Sequence, residues 1–315
     1  MRLLITGAGG FVGRHLSVLA LSKKKAQVYG LVRSQAASKL VAGVKPVRGD
    51  LLSASSMASV LKKVKPERIY HLAGQASVAL SWKEPASTLR VNLGGTRSLL
   101  EAVRKTGSRA RILVVCSADE YGASARSGRK LTEEAPLVPL NPYGRSKVAQ
   151  DLLAQEYFRT HGLPIVRTRA FNHFGPGQSD RFVVPGFAKQ VALIEAGRQK
   201  PQIQVGNLEA VRDFTDVRDV VRAYWLALEK GRAGEVYNVA GGRGRRVADV
   251  LRFYLGASSV RIKVRRDRSR LRASDMPFLI GDARKLERQT GWKPRIRFET
   301  TLRDVLKDWR KKIRG

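Results

Sequence analysis

The sequence predicts an α/β protein, a doubly wound and mostly parallel sheet with a smaller C-terminal lobe. Three observations lead there. Short β-rich apolar runs alternate with amphipathic helical stretches through the first half of the chain, the pattern of βαβ units with both sheet faces covered. The first run ends in closely spaced glycines that open a helix, as a tight strand-to-helix turn requires. After about Phe171 the alternation breaks, and isolated strands and turns such as GPG (175–177) take over.

Taken in order, RLLIT (2–6) is the first strand, and an amphipathic stretch follows it to Leu21. QVYGLV (27–32) and VKPVRGD (44–50) are the second and third strands. A helical pattern from Ser53 to Lys63 leads into RIYHLA (68–73), and a helix over 85–105 into RILVVC (111–116). A helix from Tyr143 to His161 precedes LPIVRTRAF (163–171). Beyond it, QIQVG (202–206), EVYNVA (235–240) and VRIKV (260–264) read as strands, with helices over 181–198, 216–230, 246–255 and 298–312. The expected division is 1–171 for the first lobe and 172–315 for the second, with about 213–240 returning to the first. No repeat or low-complexity linker separates them, so the lobes should pack closely.

Composition narrows the class. Hydrophobic residues are 43% of the 315, enough for a filled interior and too many for a disordered chain. One cysteine, Cys116, sits in an apolar run, which excludes a disulfide framework and points to a reducing compartment. No apolar run reaches bilayer-spanning length, and MRLLITGAGGFVG is too glycine-rich for a signal peptide, so a soluble cytoplasmic protein is expected. Charge is the anomaly: 60 Lys+Arg against 26 Asp+Glu give a formal +34. The bases are spread along the chain, densest in RIKVRRDRSR (261–270). An anionic substrate fits this surface, and so does nonspecific binding of a polyanion.

TGAGGFVG (6–13) follows a strand and opens a helix, the context that a dinucleotide fingerprint needs. Gly7 permits the turn, Gly10 lets backbone approach a pyrophosphate and Gly13 lets the helix pack on the strand. Phe11 and Val12 stand between them in the first helical turn, whose N–H groups favour phosphate. Arg33, after the second strand, stands where a carboxylate would hold the ribose diol of NAD. Its guanidinium favours a 2′-phosphate instead, so NADP(H) is expected over NAD(H). Asp50 and Leu51 suit the adenine, and Leu72 and Ala73 in HLAGQAS let a nicotinamide come close.

NPYGRSK (141–147) puts Tyr143 and Lys147 one helical turn apart on one face. With Ser117, at the end of the preceding strand, they form a Ser–Tyr–Lys set. A phenol of ordinary pKa about 10 is a poor acid near neutrality, and a neighbouring ammonium and nicotinamide cation favour the phenolate. Ser117 would hydrogen-bond a substrate oxygen as charge develops on it.

TGxxGxxG, a serine ahead of YG, and YxxxK in that order resemble the extended short-chain dehydrogenase/reductase family, with its Rossmann-type sheet. HLAGQASVALSW, TRAFNHFGPGQ, GNLEAVRDFTDVRDV and LRASDMP…TGWKPRI resemble the GDP-6-deoxy-4-keto-D-mannose reductases of its nucleotide-sugar branch, over essentially the whole chain. The resemblance implies a reductase that converts GDP-4-dehydro-6-deoxy-D-mannose to GDP-D-rhamnose with NAD(P)H, and a homodimer formed by the 85–105 and Tyr143 helices. It makes 1–171 the cofactor domain and 172–315 a nucleotide-sugar-binding lobe. It implies that Asn172 contacts the sugar or its phosphate, that Lys189, Arg212 and Arg272 clamp the diphosphate, and that Asp275 contacts the nucleoside. A solvated helix face for Lys189 or Arg212, or their ion pairs with Asp213 or Asp216, is the alternative.

GDP-mannose 4,6-dehydratases share the FNH and GNL…RD segments and are the first alternative. They need a carboxylate aimed at C5, supplied in that family by a Thr-x-Glu-x-Tyr-Gly glutamate. Here the stretch reads Ser117-Ala118-Asp119-Glu120-Tyr121-Gly122, with Asp119 one methylene shorter. A reductase needs no such base, so Asp119 is expected to be a loop residue or a contact to substrate hydroxyls. The second alternative is a non-catalytic dinucleotide-binding protein that associates with nucleic acid. A 4-epimerase is disfavoured by the GDP-type C-terminal motifs.

Overall fold

The computed structural model describes residues 1–33, 39–267, 269 and 276–314. Strand β1 (Arg2–Thr6) has every residue but the first buried, as expected for a strand covered on both faces. Helix α1 (Phe11–Leu21) returns the chain to β2 (Gln27–Val32) and β3 (Lys45–Arg48). Helix α2 (Ala54–Val64) starts on the Ser53 side chain, which accepts the Ser56 N–H, and ends at Lys65 in the left-handed region. After β4 (Arg68–His71) come α3 (Val78–Lys83), α4 (Pro85–Leu89), a π-turn at Arg90–Gly94, α5 (Gly95–Thr106) and β5 (Arg111–Ser117). Helix α6 (Pro142–His161) leads to β6 (Ile165–Ala170), and then to β7 (His173–Phe174).

The rest of the chain is α7 (Val183–Glu195), β8 (Gln202–Val205), β9 (Val211–Asp213), β10 (Thr215–Asp216), α8 (Val217–Lys230), β11 (Val236–Val239), β12 (Gly244–Arg246), α9 (Val247–Gly256), β13 (Lys263–Arg266), β14 (Phe278–Leu279), α10 (Arg284–Thr290) and α11 (Phe298–Arg314). The main sheet has the order β11–β6–β5–β4–β1–β2–β3, parallel throughout. Strand order reverses between β1 and β4, so a crevice opens at their C-terminal ends, Thr6 and His71, where α/β sheets bind ligands. One sheet face packs under α1 and α8, with Leu16, Val220 and Tyr224 buried; the other packs under α2, α5 and α6, with Met57, Leu100 and Ala154 buried. A third core joins α7, α9 and α11 to β8 through Phe187, Val250 and Leu306.

Three sequence expectations change. The single helix expected over 85–105 is broken, because Pro85 opens α4 and the chain passes through the π-turn before α5. There Gly95 lies so close to Leu51 that a Cβ would stand 2.9 Å from its Cδ2. The strand expected at 260–264 begins at Lys263, where pairing with Gln202 starts. Besides α8 and β11, the chain returns to the first core a second time, through Leu286 of α10 and Trp292. Among the described residues no helix is long and apolar enough to cross a membrane.

Candidate active site

Beyond β1 the chain turns through Gly7, whose φ is +74°. A Cβ there would stand 2.9 Å from the Ala73 nitrogen, so the turn and the approach of Leu72–Ala73 both require glycine. The Gly10 N–H donates to the Gly7 carbonyl (3.0 Å), and Gly10 caps α1 with no side-chain bond and no acid in the first turn. Phe11, Val12 and Gly13 form that turn, and its N–H groups are available to an anion. Any Cβ on Gly13 would overlap the Gly7 carbonyl oxygen. The Thr6 hydroxyl accepts the Ala73 N–H (3.2 Å) and meets His71 Nδ1 at 2.8 Å, while His71 Nε2 meets Thr96 Oγ1 at 2.9 Å. Burial pushes His71 down to about 3, so a neutral ring ties together the two strand ends at the crevice. Asp50 lies beyond β3 with its carboxylate accepting the Leu52 N–H (3.0 Å). Arg33 is exposed just past β2.

Helix α6 begins with the Asn141 side chain accepting the Gly144 N–H (2.7 Å) and Pro142 in the first turn. The cap fixes where Tyr143 points: its N–H donates to Ser81 Oγ (3.1 Å), and its phenol is hydrogen-bonded to the Ser117 hydroxyl. Burial, with help from the Asp119 carboxylate, pushes the phenol above its ordinary value. Lys147 is buried, and its ammonium donates to the Val115 carbonyl (2.9 Å) and Gln150 Oε1 (2.7 Å). Burial lowers its pKa against the pull of Cys116, Glu120 and Asp151. Ser117, Tyr143 and Lys147 therefore converge at the end of β5. Gly74 joins them, since a Cβ on it would lie 3.8 Å from Lys147 Nζ.

Asp119 is turned onto its own loop. Its Oδ2 accepts the Ser117 hydroxyl (3.3 Å) and its Oδ1 the Asn141 amide (3.3 Å). Glu120 is fully buried, and Oε1 accepts the Ser117 N–H (2.8 Å), closing a capping box. Its other oxygen lies 3.2 Å from Arg169 Nε. Arg169 also donates to Asp151 (2.9 and 2.7 Å), to the Tyr121 hydroxyl (3.2 Å) and to the Glu133 carbonyl (3.0 Å). Arg167 takes the second Asp151 oxygen (2.7 Å). Burial, reinforced by Asp151, raises Glu120 well above the carboxylate range. Burial works against the Asp151 carboxylate, but the two guanidiniums outweigh it and lower its pKa. Cys116, Glu120 and Asp151 offer ligand atoms within 4.8 Å of one another, yet guanidiniums already engage the carboxylates. Tyr121 belongs to this network, with its hydroxyl on Asn238 Oδ1 (2.7 Å).

A cavity of about 610 Å³ opens beside this centre. Asn172 and Arg212 line it, as do Trp82, Arg181, Phe182, Asn207 and Phe214. Ser117 and Tyr143 are outside its lining; α3 links the two regions, with Val78, Ala79 and Trp82 on the cavity and Ser81 holding Tyr143. Arg212 donates to the carbonyls of Val211 (2.9 Å) and Met276 (2.6 Å). Lys189 pairs with Asp180 at the rim (2.7 Å). The two acids expected as their partners are engaged elsewhere. Asp213 accepts the N–H groups of Gly241, Gly242 and Gly281, and Asp216 pairs with Arg218 (2.7 Å). Arg272 and Asp275 lie outside the described residues.

Several site residues escaped the sequence reading. Asn92, on the π-turn, accepts the Gln75 N–H (2.8 Å) and donates to the Gln75 carbonyl and to Ser146 Oγ. It thereby joins the loop after β4 to α6. A buried polar residue beside paired glycines in RVNLGGT was the available signal, since π-turns cluster at functional sites. Thr6, His71 and Thr96 carried none beyond their place at strand ends.

The family model for GDP-mannose 4,6 dehydratase matches residues 4–305. The GDP-6-deoxy-D-mannose reductase of Pseudomonas aeruginosa is 36% identical over 99% of this chain and 98% of its own. Among solved structures, RMD from Pseudomonas aeruginosa complexed with NADPH superposes with a TM-score of 0.88 at 34% identity, covering 99% of each chain. UDP-glucose 4-epimerase from Thermus thermophilus complexed with NAD also gives 0.88, at 28% identity, covering 98% of this chain and 99% of that one.

Proposed function

The chain belongs to the GDP-mannose 4,6-dehydratase family of extended short-chain dehydrogenase/reductases, and from that premise we propose that it reduces the C4 ketone of GDP-4-dehydro-6-deoxy-D-mannose to give GDP-D-rhamnose. The observation that carries this reading is the set of Asp119 contacts. A dehydratase needs a carboxylate free to remove a proton from C5, whereas both Asp119 oxygens are held by Ser117 and the Asn141 cap. The Ser117–Tyr143 contact and the buried Lys147 are the parts a simple ketone reduction uses.

The glycine turn, the free α1 terminus and the Leu72–Ala73 backbone fit a dinucleotide, and NADPH bound there would supply the hydride. Tyr143 donates a proton to the ketone oxygen, and the raised phenol pKa keeps that proton in place until charge develops. Ser117, whose single hydroxyl proton points to Asp119 Oδ2 before substrate arrives, turns that proton to the same oxygen as charge develops there, while the Asn141 amide keeps Asp119 Oδ1. Lys147, with a third N–H beyond those given to Val115 and Gln150, lowers the cost of the phenolate as it forms. Exposed Arg33 supports NADP(H) through the 2′-phosphate. Arg212 and Asn172, on the cavity, and Lys189, at its rim, support binding of a GDP-sugar diphosphate. Leu89 on α4 and Leu152 on α6 are 44% and 54% exposed, which favours a homodimer across these helices, whereas Leu100 and Val103 of α5 are core. The buried single thiol suits a reducing cytoplasm.

The test is incubation with GDP-4-dehydro-6-deoxy-D-mannose and NADPH. Cofactor consumed one-for-one with product supports the reductase. Turnover of GDP-mannose without added NADPH, and with no net cofactor use, replaces it with the dehydratase.

A further inference from the structure

The proposed chemistry accounts for a few cations around one cavity and leaves most of the +34 charge unexplained. One part of that surplus is ordered. Helix α11 buries Leu302, Val305 and Leu306 against the third core, and its opposite face carries exposed Arg303, Lys307, Lys311 and Arg314. These stand at successive turns, about 4.5–6 Å apart along the axis, and like charges so spaced destabilise a helix. The acids of α11 do not relieve them. Asp304 pairs with Arg218, Asp308 with Lys312 and the Gly177 N–H, and Glu299 with Arg245.

A second exposed basic pair lies near the helix end. Arg310 holds Glu195 with two 2.7 Å contacts and the Ala257 carbonyl at 2.8 Å, pinning the end of α11 to the end of α7. The turn after α7 exposes Arg198 and Lys200, and a groove of about 520 Å³ runs between this turn and Val260. The other end of α7, Val183 and Val184, lines the nucleotide-sugar cavity. Thirteen helical residues separate the two by about 20 Å.

We propose that the solvent face of α11, together with Arg198 and Lys200, is a docking surface for the phosphodiester backbone of duplex nucleic acid, independent of the nucleotide-sugar site. A row of cations at regular spacing matches a polymer of regularly spaced phosphates. Recognition is of backbone alone: Trp309, the helix's one large aromatic beyond Phe298, is covered by Lys189 and Lys312 at 5.6 and 4.8 Å from its ring, so no ring is free to stack on an unpaired base. A bilayer surface fits less well, because interfacial helices bury an apolar face in lipid and that face of α11 is already in the protein core.

The experiment titrates the full chain against a labelled DNA duplex across salt concentrations. The patch variant is Arg303→Gln/Lys307→Gln/Lys311→Gln/Arg314→Gln. The control, Lys24→Gln/Lys62→Gln/Lys63→Gln/Arg109→Gln, removes the same charge from exposed positions on the first lobe. Each phosphate left without its neutralising cation should reduce the log–log salt slope by about 0.9. The patch variant should therefore lose between three and four units of slope and at least about tenfold in affinity at low salt, while the control keeps most of both. Unchanged ketone reduction in the patch variant shows that it folds; should it fail, Lys307→Gln/Lys311→Gln should lose about two units. Equal losses in both variants, or no duplex binding by the parent, overturn the proposal. So does binding to phosphatidylserine vesicles that depends on the same four residues while the duplex is ignored.

Discussion

Arg169 couples the end of β5 to α6, the two elements that carry Ser117, Tyr143 and Lys147. Its Nε contacts Glu120, whose other oxygen holds the Ser117 N–H, and its guanidinium grips Asp151, two turns beyond Tyr143 on α6. Replacing Arg169 with Met keeps the chain's length and apolar stem but removes the charge. Breaking a buried pair at one end costs about 3–5 kcal/mol. Two features place this case near the lower figure. Asp151 keeps Arg167 at 2.7 Å, and burial already favours the neutral form of Glu120. Against that, Tyr121 and the Glu133 carbonyl each lose a donor, at about 1 kcal/mol apiece.

The expectation for Arg169→Met is a loss of about 3–4 kcal/mol, read as a shift of the urea midpoint at unchanged slope. Adding Asp151→Asn should cost clearly less than the sum of the two single changes, with a coupling of about 2 kcal/mol, because the amide no longer needs a counter-charge. The Ser117 turn and α6 also lose their shared tie, so kcat should fall by about 10- to 100-fold through misplacement, with KM for NADPH little changed. A single-variant loss below about 0.5 kcal/mol, or strict additivity of the pair, would refute the claim that Arg169 is a charged bolt.

Tyr143→Phe should abolish ketone reduction while NADPH still quenches or shifts protein fluorescence as in the parent; retained turnover would remove the phenol from its role. Gly13→Ala forces a methyl into the Gly7 carbonyl, so NADPH binding should fall at least about tenfold along with a lower melting temperature. Arg33→Asp should invert cofactor preference, measured as the ratio of kcat/KM for NADPH to that for NADH. Stability should depend on pH through Glu120. Its folded pKa is raised, so the folded state binds a proton that the unfolded chain releases above about 4.3. Stability is therefore full below that value and falls as pH rises toward the raised one. Glu120→Gln should flatten this decline in denaturation curves taken from pH 4 to 8, and an unaltered slope would count against it.

Much of the fold could be read in the sequence because its signals are local. RLLIT, RIYHLA and RILVVC are buried on both faces past their leading arginines and so are mostly apolar, and the glycine turn must be where the strand stops. The Tyr143–Lys147 spacing and Ser117 are likewise set by one helical turn and one strand end. What escaped depends on partners distant in sequence. Arg167 and Arg169 alternate with Thr168 as if facing solvent, yet all three are buried, because Asp151 arrives from the preceding helix to meet both guanidiniums. Leu286 and Trp292 look like parts of the C-terminal lobe until the chain's second return seats them under α8. The close approach of Leu51 to Gly95, just past the π-turn, likewise depends on a residue over forty positions away.

The same dependence explains how one short turn can separate two chemistries. The segment from Ser117 to Gly122 leaves β5 with its first N–H held by Glu120, its serine hydroxyl between Asp119 and Tyr143, and its Asp119 carbonyl packed so tightly on Gly144 that a Cβ there would stand 2.7 Å away. The Tyr143 and Gly144 contacts hold the loop against α6, and the Glu120 and Asp119 contacts close its own turn. The aspartate is drawn in with it, where its charge adds to burial in raising the Tyr143 phenol. A residue one methylene longer would have to fold back or reach past the serine, and only the second arrangement could attack a carbon–hydrogen bond. In this chain the shorter side chain and the buried glutamate beside it act together. They set the carboxylate on Ser117 and on the Asn141 cap of α6, an arrangement that suits ketone reduction better than removal of a C5 proton.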